Sequence, residues 1–446
     1  MKRWFKDDLF KLVLKNAGRL ASGKLVGALL GLGALACATH AMSPSEFGVL
    51  ILIKAYAQLI ADIGQFQGWQ VILHYGSIPW QQGEVDRVKT ATKFSVGLDL
   101  LAGFASMIVG MAVLLLLGPH LGVHPEHRAL AFFYCTLIPF LTCSSPYGIL
   151  RLFDRVDVIS RQQIVSPMVR TTLSVLTLVM GWGLTGFVVA WYAGVLAADL
   201  YVFTCCWKEL KRRNIQGALK PSLLKAARNM PKGMWSFVWL TSVNTVLTSV
   251  WGSLSNLLIG RTLGTAAAGL YSLAVTFIDA VQRPVRLLEK SYYPEVARLD
   301  TRTTKPWKLA AKMSFLGACL GIVVSLIVYI GGKPVISLFG HRYGEAATLM
   351  LWMAPSLVFN MAAFPLYGLL YTAGKFKVLT GTQLISSLFY TVLLIYMSHN
   401  YGLDGAGLAF AIGTLFGALI NVVIAIVTFI RRRHIILPHE REIRGS

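Results

Sequence analysis

Apolar residues dominate the chain in long runs from residue 16 to residue 430, and short stretches rich in Lys, Arg, Gly and Pro separate them. A helix needs about 20 mainly apolar residues to cross about 30 Å of hydrocarbon, so each run is long enough to span a bilayer. Twelve spans are predicted, at 16–41, 46–74, 92–118, 129–152, 160–181 and 185–207, then at 234–260, 265–289, 309–330, 345–371, 376–398 and 403–430. The second six repeat the first. Gly48-Val49-Leu50 recurs as Gly269-Leu270-Tyr271, Tyr147-Gly148-Ile149-Leu150 as Tyr367-Gly368-Leu369-Leu370, and Trp182-Gly183-Leu184-Thr185-Gly186 as Tyr401-Gly402-Leu403-Asp404-Gly405. The offsets are 221, 220 and 219 residues, so one register holds across half the chain.

An even number of spans per repeat leaves both halves in the same orientation, related by an axis along the membrane normal. The predicted fold is an all-α polytopic membrane protein, with twelve transmembrane helices in two six-helix lobes around a central cavity. The lobes occupy 16–207 and 234–430, a basic linker joins them at 208–233, and a basic tail follows at 431–446. Residues 1–15 place Trp4, Phe5, Leu9, Phe10 and Leu12 among Lys and Asp, which suits an amphipathic helix lying in the membrane interface; a solvated lead-in is the alternative.

Composition agrees with the pattern. The chain is 55% hydrophobic and 14% charged, against about 25% charged in soluble domains. Its 42 Lys and Arg residues fall in alternate loops when both termini are placed in the cytoplasm, with Arg128, Arg261, Lys333 and Arg342 outside and Lys54 within the second span. The net charge of +22 is then an orientation signal and an attraction to anionic inner-leaflet lipid. Basic residues spread over many separate segments offer no patch for nucleic acid, and no such partner is expected.

Several chemistries find no support. Residues 1–38 have the charge and apolar run of a signal peptide but fill the first slot of the repeat, so retention is expected. The six cysteines all lie in predicted helices without metal-ligand spacing and read as packing residues. His120, His124, Glu126 and His127 crowd one external loop, but Gly122 and Pro125 break any helix that would align them, so no metal site is assigned. No outer loop is long enough to house the catalytic groups of a membrane transferase or polymerase. No phosphate-binding Walker motif is present either.

Polar residues at membrane depth are costly and usually face a cavity, so they mark candidate sites. The second span carries Lys54, Gln58, Asp62 and Gln65, with Trp69 continuing the line, at spacings that put them on one helical face. Its repeat counterpart carries Asp279, Arg283, Arg286 and Lys290 on one face. At 1.5 Å per residue Lys54 lies about 12 Å from the outer end of its span and Asp62 about 24 Å. Lys54, Gln58, Arg261, Arg283 and Arg286 are the candidate anion-binding residues, with snorkelling to headgroups as the alternative for the arginines. Asp62 and Asp279 are candidates for ion coupling or for charge balance. Arg151, Asp154 and Arg155, in the repeated loop after the fourth span, are candidates for an inner gate or for topology alone. Asn244, Thr248, Gly252, Ser255 and Asn256 make a polar, small face in the seventh span. Gly23, Gly27 and Gly31 form a line suited to close helix packing. Pro139, Pro146, Pro355 and Pro365 are candidate kinks. More cation than carboxylate suits an anionic substrate, such as a phosphorylated lipid.

Three stretches carry a family resemblance: Ser43-Pro44-Ser45-Glu46-Phe47-Gly48-Val49-Leu50; Ile259-Gly260-Arg261-Thr262-Leu263-Gly264 through Gly269-Leu270-Tyr271-Ser272-Leu273-Ala274; and Tyr401-Gly402-Leu403-Asp404-Gly405-Ala406-Gly407. They resemble the recurring signatures of bacterial polysaccharide (Wzx-type) flippases of the multidrug/oligosaccharidyl-lipid/polysaccharide (MOP) exporter superfamily, and the likeness extends over nearly the whole chain. The resemblance implies a V-shaped cavity between two six-helix lobes in the bacterial inner membrane. It also implies movement of an undecaprenyl-pyrophosphate-linked oligosaccharide to the periplasmic leaflet for O-antigen or exopolysaccharide biosynthesis. In the related peptidoglycan-precursor flippase cationic residues line the cavity, and Lys54 and Arg283 are their counterparts by resemblance. No cofactor is expected, and a proton or sodium gradient is the candidate energy source. The expected partners are the lipid-linked oligosaccharide, membrane lipid and other polysaccharide assembly proteins, with the chain working as a monomer. Two alternatives stay open: an ion-coupled multidrug antiporter of the same fold, and a membrane enzyme, transferase or polymerase, acting on the same lipid-linked glycan.

Overall fold

A computed structural model of the chain describes residues 26–118, 124–219, 234–299 and 303–445. The amphipathic segment 1–15, Gly23, His120 and the linker from 220 to 233 lie outside the described residues, as do the side chains of Asn244, Arg286, Lys290 and the basic tail beyond Arg431. Every regular element among the described residues is helical. The chain divides into two compact units, Val26–Gly269 and Leu270–Ser446.

The first unit begins with α1 (Val26–Ala41) and continues through α2 (Pro44–Gly64), α3 (Gly68–Gln81) and α4 (Val85–Leu117). The short helices α5 (Arg128–Cys135), α6 (Ile138–Thr142) and α7 (Ser145–Leu152) follow, then α8 (Val156–Met180), α9 (Gly183–Arg212), α10 (Met234–Ser249) and α11 (Ser255–Leu263). Local chemistry sets several of these boundaries. Ser43 and Glu46 close a reciprocal capping box at the start of α2, with Pro44 in its first turn. Pro139 and Pro146 sit in the first turns of α6 and α7, where a missing N–H costs nothing, so they restart helices that have just broken rather than kink continuous ones. The two arms of this broken span meet at 47°. Gly27 packs against α8, where an added Cβ would come within 2.9 Å of the Gln163 carbonyl oxygen, as expected for a close-packing line. A π-helical turn, Val250–Leu254, joins α10 to α11.

The second unit holds most of α12 (Thr265–Ala297), then α13 (Lys305–Ser337), α14 (Gly344–Met353), α15 (Pro355–Thr372) and α16 (Phe376–Gly445). The arms of the bent span that contains α14 and α15 meet at 44°. Pro355 opens α15, whereas Pro365 lies inside it. The 70 residues of α16 are two helices in series, because Gly402 at φ 61°, ψ −140° cannot continue the first. That break separates the predicted spans 376–398 and 403–430.

Among the described residues six helical stretches, with α2 and α3 taken together as one, are long and apolar enough to cross a membrane, or eight with each bent pair as one span. The remaining predicted spans coincide with α1, with α10 and α11 together, with α12, whose polar stripe lowers its hydropathy, and with the second half of α16. The protein is a multi-pass membrane protein. Large apolar side chains such as Leu116 (78% exposed) and Val179 (77%) point outward on α4 and α8, as lipid-facing residues do.

The internal repeat is visible in the backbone. Gly183 (φ 55°) and Gly402 (φ 61°), equivalent in the repeat, both take positive φ, and so do the equivalent Asp154 (φ 56°) and Gly374 (φ 74°). Within the first unit, equivalent segments also touch. The hydroxyls of Ser45 and Thr265, 220 residues apart, lie 2.8 Å from each other. A Cβ on Gly48 would fall 1.8 Å from the Thr265 carbonyl oxygen, and one on Gly269 would fall 2.7 Å from the Pro44 carbonyl oxygen. Residue i of one copy meets residue j of the other and the reverse, which is the reciprocity of a local two-fold axis.

Candidate functional site

Two broken spans meet in the first unit and enclose its cavity. The predicted span 46–74 is not one helix: α2 ends at Gly64, Gln65 is its extended C-cap, and α3 begins at Gly68. The break corrects the expectation of one continuous polar face, because Trp69 stands on a new helix and Gln65 on neither. Gln65 donates to the Leu141 carbonyl (3.3 Å), Gln67 donates to Gln65 (3.1 Å) and to Thr245 on α10 (2.7 Å), and the Trp69 indole N–H donates to Gln67 (2.6 Å). The Trp69 backbone N–H, at the start of α3, donates to the Ser144 hydroxyl (3.3 Å), so both side-chain and backbone groups of the break are tied to the neighbouring span, as membrane depth demands.

The neighbouring break, between α6 and α7, is held by Asp99 on α4. One of its carboxylate oxygens, Oδ2, accepts from the backbone N–H of Ser144 (2.9 Å) and Ser145 (2.7 Å) and from the Ser145 hydroxyl (2.6 Å). The residue is 1% exposed, and its charge faces the N-terminus of α7, where it complements the helix dipole. Gly68 and Gly148 let the two breaks close on each other: a Cβ on Gly148 would lie 2.7 Å from the Trp69 Cα, and one on Gly68 would lie 2.9 Å from Asp99 Oδ1.

Between these breaks and α9 lies a cavity of about 450 Å³, within the usual range for small-molecule sites. Gln65, Gln67, Trp69, Tyr147, Arg151 and Asp199 supply its polar and aromatic groups, and Phe140, Leu141 and Val195 its apolar ones. The Arg151 guanidinium lies 4.6 Å from the Trp69 ring centroid in cation–π contact. Tyr147 donates to Asp199 Oδ1 (3.0 Å) and accepts from Gln162 (3.0 Å), which fixes the carboxylate in the wall. In the second unit the equivalent Tyr367 also bonds the last helix, accepting from Asn421 (3.1 Å), although the repeat offset of 219 residues there pairs Asp199 with Ala418.

The residues singled out in the sequence scatter around this cavity. Lys54 is exposed on α2, between the buried Ile53 and Ala55, and the charge it feels is the like charge of Arg170 on α8. Gln58 donates to Asp62 (2.8 Å) one turn later. Arg261 is exposed on α11. Asp279 and Arg283 are exposed on α12, in the unit that begins at Leu270, and the side chain of Arg286 lies outside the described residues. The three loop residues have three different settings. Arg151 lines the cavity. Asp154 makes the turn at positive φ. Arg155 bonds Asp157 (3.0 Å), whose carboxylate holds the guanidinium pKa above its ordinary value, and it also bonds Glu209 on α9. Arg213, beyond the end of α9, also reaches Glu209 (3.5 Å) and stacks 4.4 Å from the Phe153 ring centroid.

Four groups were missed: Asp99, Tyr147, Arg170 and Asp199. Arg170 and the two aspartates are charges inside predicted spans, which is the signal that finds them; Tyr147 shows in the sequence only as the first residue of a repeated motif. Arg170 packs 5.2 Å from the Trp191 ring centroid and near Gly31 of α1. Among the described residues no group of His, Cys, Asp and Glu is placed to hold a metal ion.

The family model for polysaccharide biosynthesis proteins matches residues 13–300. The inner membrane protein YghQ of Escherichia coli K12 is 43% identical over 351 residues, which is 78% of this chain and 99% of that protein. The capsular polysaccharide biosynthesis protein CapF of Staphylococcus aureus is 27% identical over 41% of this chain and 45% of its own length. An inward-facing multidrug resistance MATE family transporter of the MOP superfamily superposes with a TM-score of 0.71 at 14% identity, covering 92% of this chain and 95% of that one. The fold is that of MOP-superfamily transporters, as the sequence resemblance implies. By its match to the family model and its identity with YghQ, the chain belongs to the polysaccharide biosynthesis protein family.

Proposed function

We propose that the protein is a flippase, a transporter and not an enzyme, which moves a lipid-pyrophosphate-linked oligosaccharide from the cytoplasmic to the periplasmic leaflet of the bacterial inner membrane. The observation that carries the reading is a transporter fold in a polysaccharide biosynthesis chain. A polar glycan on a lipid carrier cannot cross hydrocarbon unaided, so a pathway that builds it on one face and uses it on the other needs a carrier of this kind. Lys54 supports the anionic half of the substrate. An exposed lysine at membrane depth, within electrostatic range of a second cation, is stabilised there if an anion binds to it. Alternating access, a proton or sodium gradient as the driving force, and both termini in the cytoplasm complete the proposal.

The cell provides the first test. Deleting the gene in its own host is expected to make the lipid-linked oligosaccharide accumulate in the cytoplasmic leaflet and to stop polymer reaching the surface. Normal polymer export without accumulation of the lipid intermediate would refute the reading.

A further inference from the structure

The geometry points to the cavity between the two helix breaks as a sugar-binding subsite, in which Trp69, Asp199 and Arg151 hold a neutral or N-acylated hexose of the transported glycan. The inference rests on the flippase reading and goes beyond it by separating the site for the sugar from the cations for the phosphate. A hexose presents hydroxyls that both donate and accept, and an apolar face of C–H groups. The cavity answers each need. Asp199 offers a carboxylate whose Oδ1 is already oriented by Tyr147, and a carboxylate accepts hydroxyl protons strongly. Arg151 offers donors in a planar fork for ring or acyl oxygens. Trp69, Phe140, Leu141 and Val195 offer apolar surface.

Charge decides against the other ligands. A pyrophosphate in this cavity would face Asp199, and repulsion between like charges at close range opposes it. A lipophilic cation would face Arg151 for the same reason. A neutral polyol uses both groups. Lys54 stands eleven residues before Gln65 in α2, about 16 Å along the helix axis, and within electrostatic range of Arg170. The anion and the sugar therefore have different places in the unit. At the offset of 219 residues that holds in this helix, Asp199 has Ala418 as its counterpart, so the carboxylate and the sugar site belong to one half of the repeat.

The test is ligand-observed saturation-transfer NMR on the full chain in lipid nanodiscs, with N-acetylglucosamine and galactose as probes and inorganic pyrophosphate and ethidium as competitors. At least one sugar is expected to bind. Trp69→Ala and Asp199→Asn should each weaken that binding about tenfold, as loss of a charge-assisted or well-packed contact does. Trp69→Phe, which keeps an aromatic face and guards against misfolding, should restore it. Pyrophosphate should not displace the sugar. Absence of binding by either sugar, equal binding by the Ala and Asn variants, or displacement by pyrophosphate would overturn the subsite. So would ethidium binding that depends on Asp199 where sugar binding does not. The flippase reading fails separately, if the lipid intermediate does not accumulate in the deletion strain.

Discussion

Lys54 keeps a cation on α2 where its chain neighbours, Ile53 and Ala55, are buried and apolar. A lysine placed there for stability would have a carboxylate beside it; this one has Arg170 within electrostatic range. Stability and function should therefore part at this residue. Lys54→Met is expected to leave the unfolding temperature of the purified protein unchanged or raised, because it removes a like-charge repulsion, while lowering transport at least about tenfold. A fall in both would mark Lys54 as structural. Asp154 is the opposite case. Its φ of 56° belongs to the left-handed region, and the repeat places Gly374 at the same turn. Asp154→Gly should cost no stability, whereas Asp154→Ala should cost about 1 kcal/mol, read from chemical denaturation. If the alanine variant unfolds no earlier than the glycine one, the turn does not need that backbone.

At the scale of elements, the site is made by helix breaks rather than by helices. Asp99 joins them, since one oxygen receives three hydrogen bonds from the start of α7. Asp99→Ala leaves two backbone donors unpaired away from water and should destabilise the fold by about 2–4 kcal/mol, while Asp99→Asn, which retains an acceptor, should cost about half as much. Equal losses would mean that the carboxylate fills space and does not cap. These breaks explain what the sequence made legible. Hydropathy located the spans because lipid imposes a local requirement, and the capping box at Ser43 and Glu46 is a local signal too. The break at Gln65-Phe66-Gln67 has no proline, and what satisfies it is remote in sequence: Leu141 and Thr245 for the glutamines, Ser144 for Trp69. Asp99 and Asp199 are single charges in apolar runs, and their partners Ser145 and Tyr147 lie more than 45 residues away in sequence. A stripe at helical spacing was a sound rule for Gln58 and Asp62, which do bond. It misled for Trp69, where the helix had already ended.

Across the whole molecule, the duplication sets the scaffold and the chemistry departs from it. Both units contain a bent span, of 47° and 44°, and both keep a tyrosine bonded to the last helix of the repeat. In the first unit that tyrosine donates to the carboxylate of Asp199, and in the second it accepts from the amide of Asn421. The register itself has a direct check in the reciprocal contact of Ser45 and Thr265. With Ser45→Cys and Thr265→Cys combined in a chain cleared of its native cysteines, mild oxidant should form the disulfide rapidly, since the replaced oxygens are 2.8 Å apart. Cysteines moved one residue along either helix should react far more slowly, and comparable rates would deny the local two-fold.

The central claim is that a pyrophosphate-bearing lipid is what the protein moves. Its most direct measurement is translocation by the purified chain in proteoliposomes, comparing an undecaprenyl-pyrophosphate-linked oligosaccharide with the same glycan on an uncharged polyprenyl carrier, for wild type and Lys54→Met. The account predicts rapid movement of the pyrophosphate lipid, little of the uncharged one, and loss of that preference in the variant. Equal movement of both lipids by the wild-type protein, or an unchanged preference without Lys54, would contradict it.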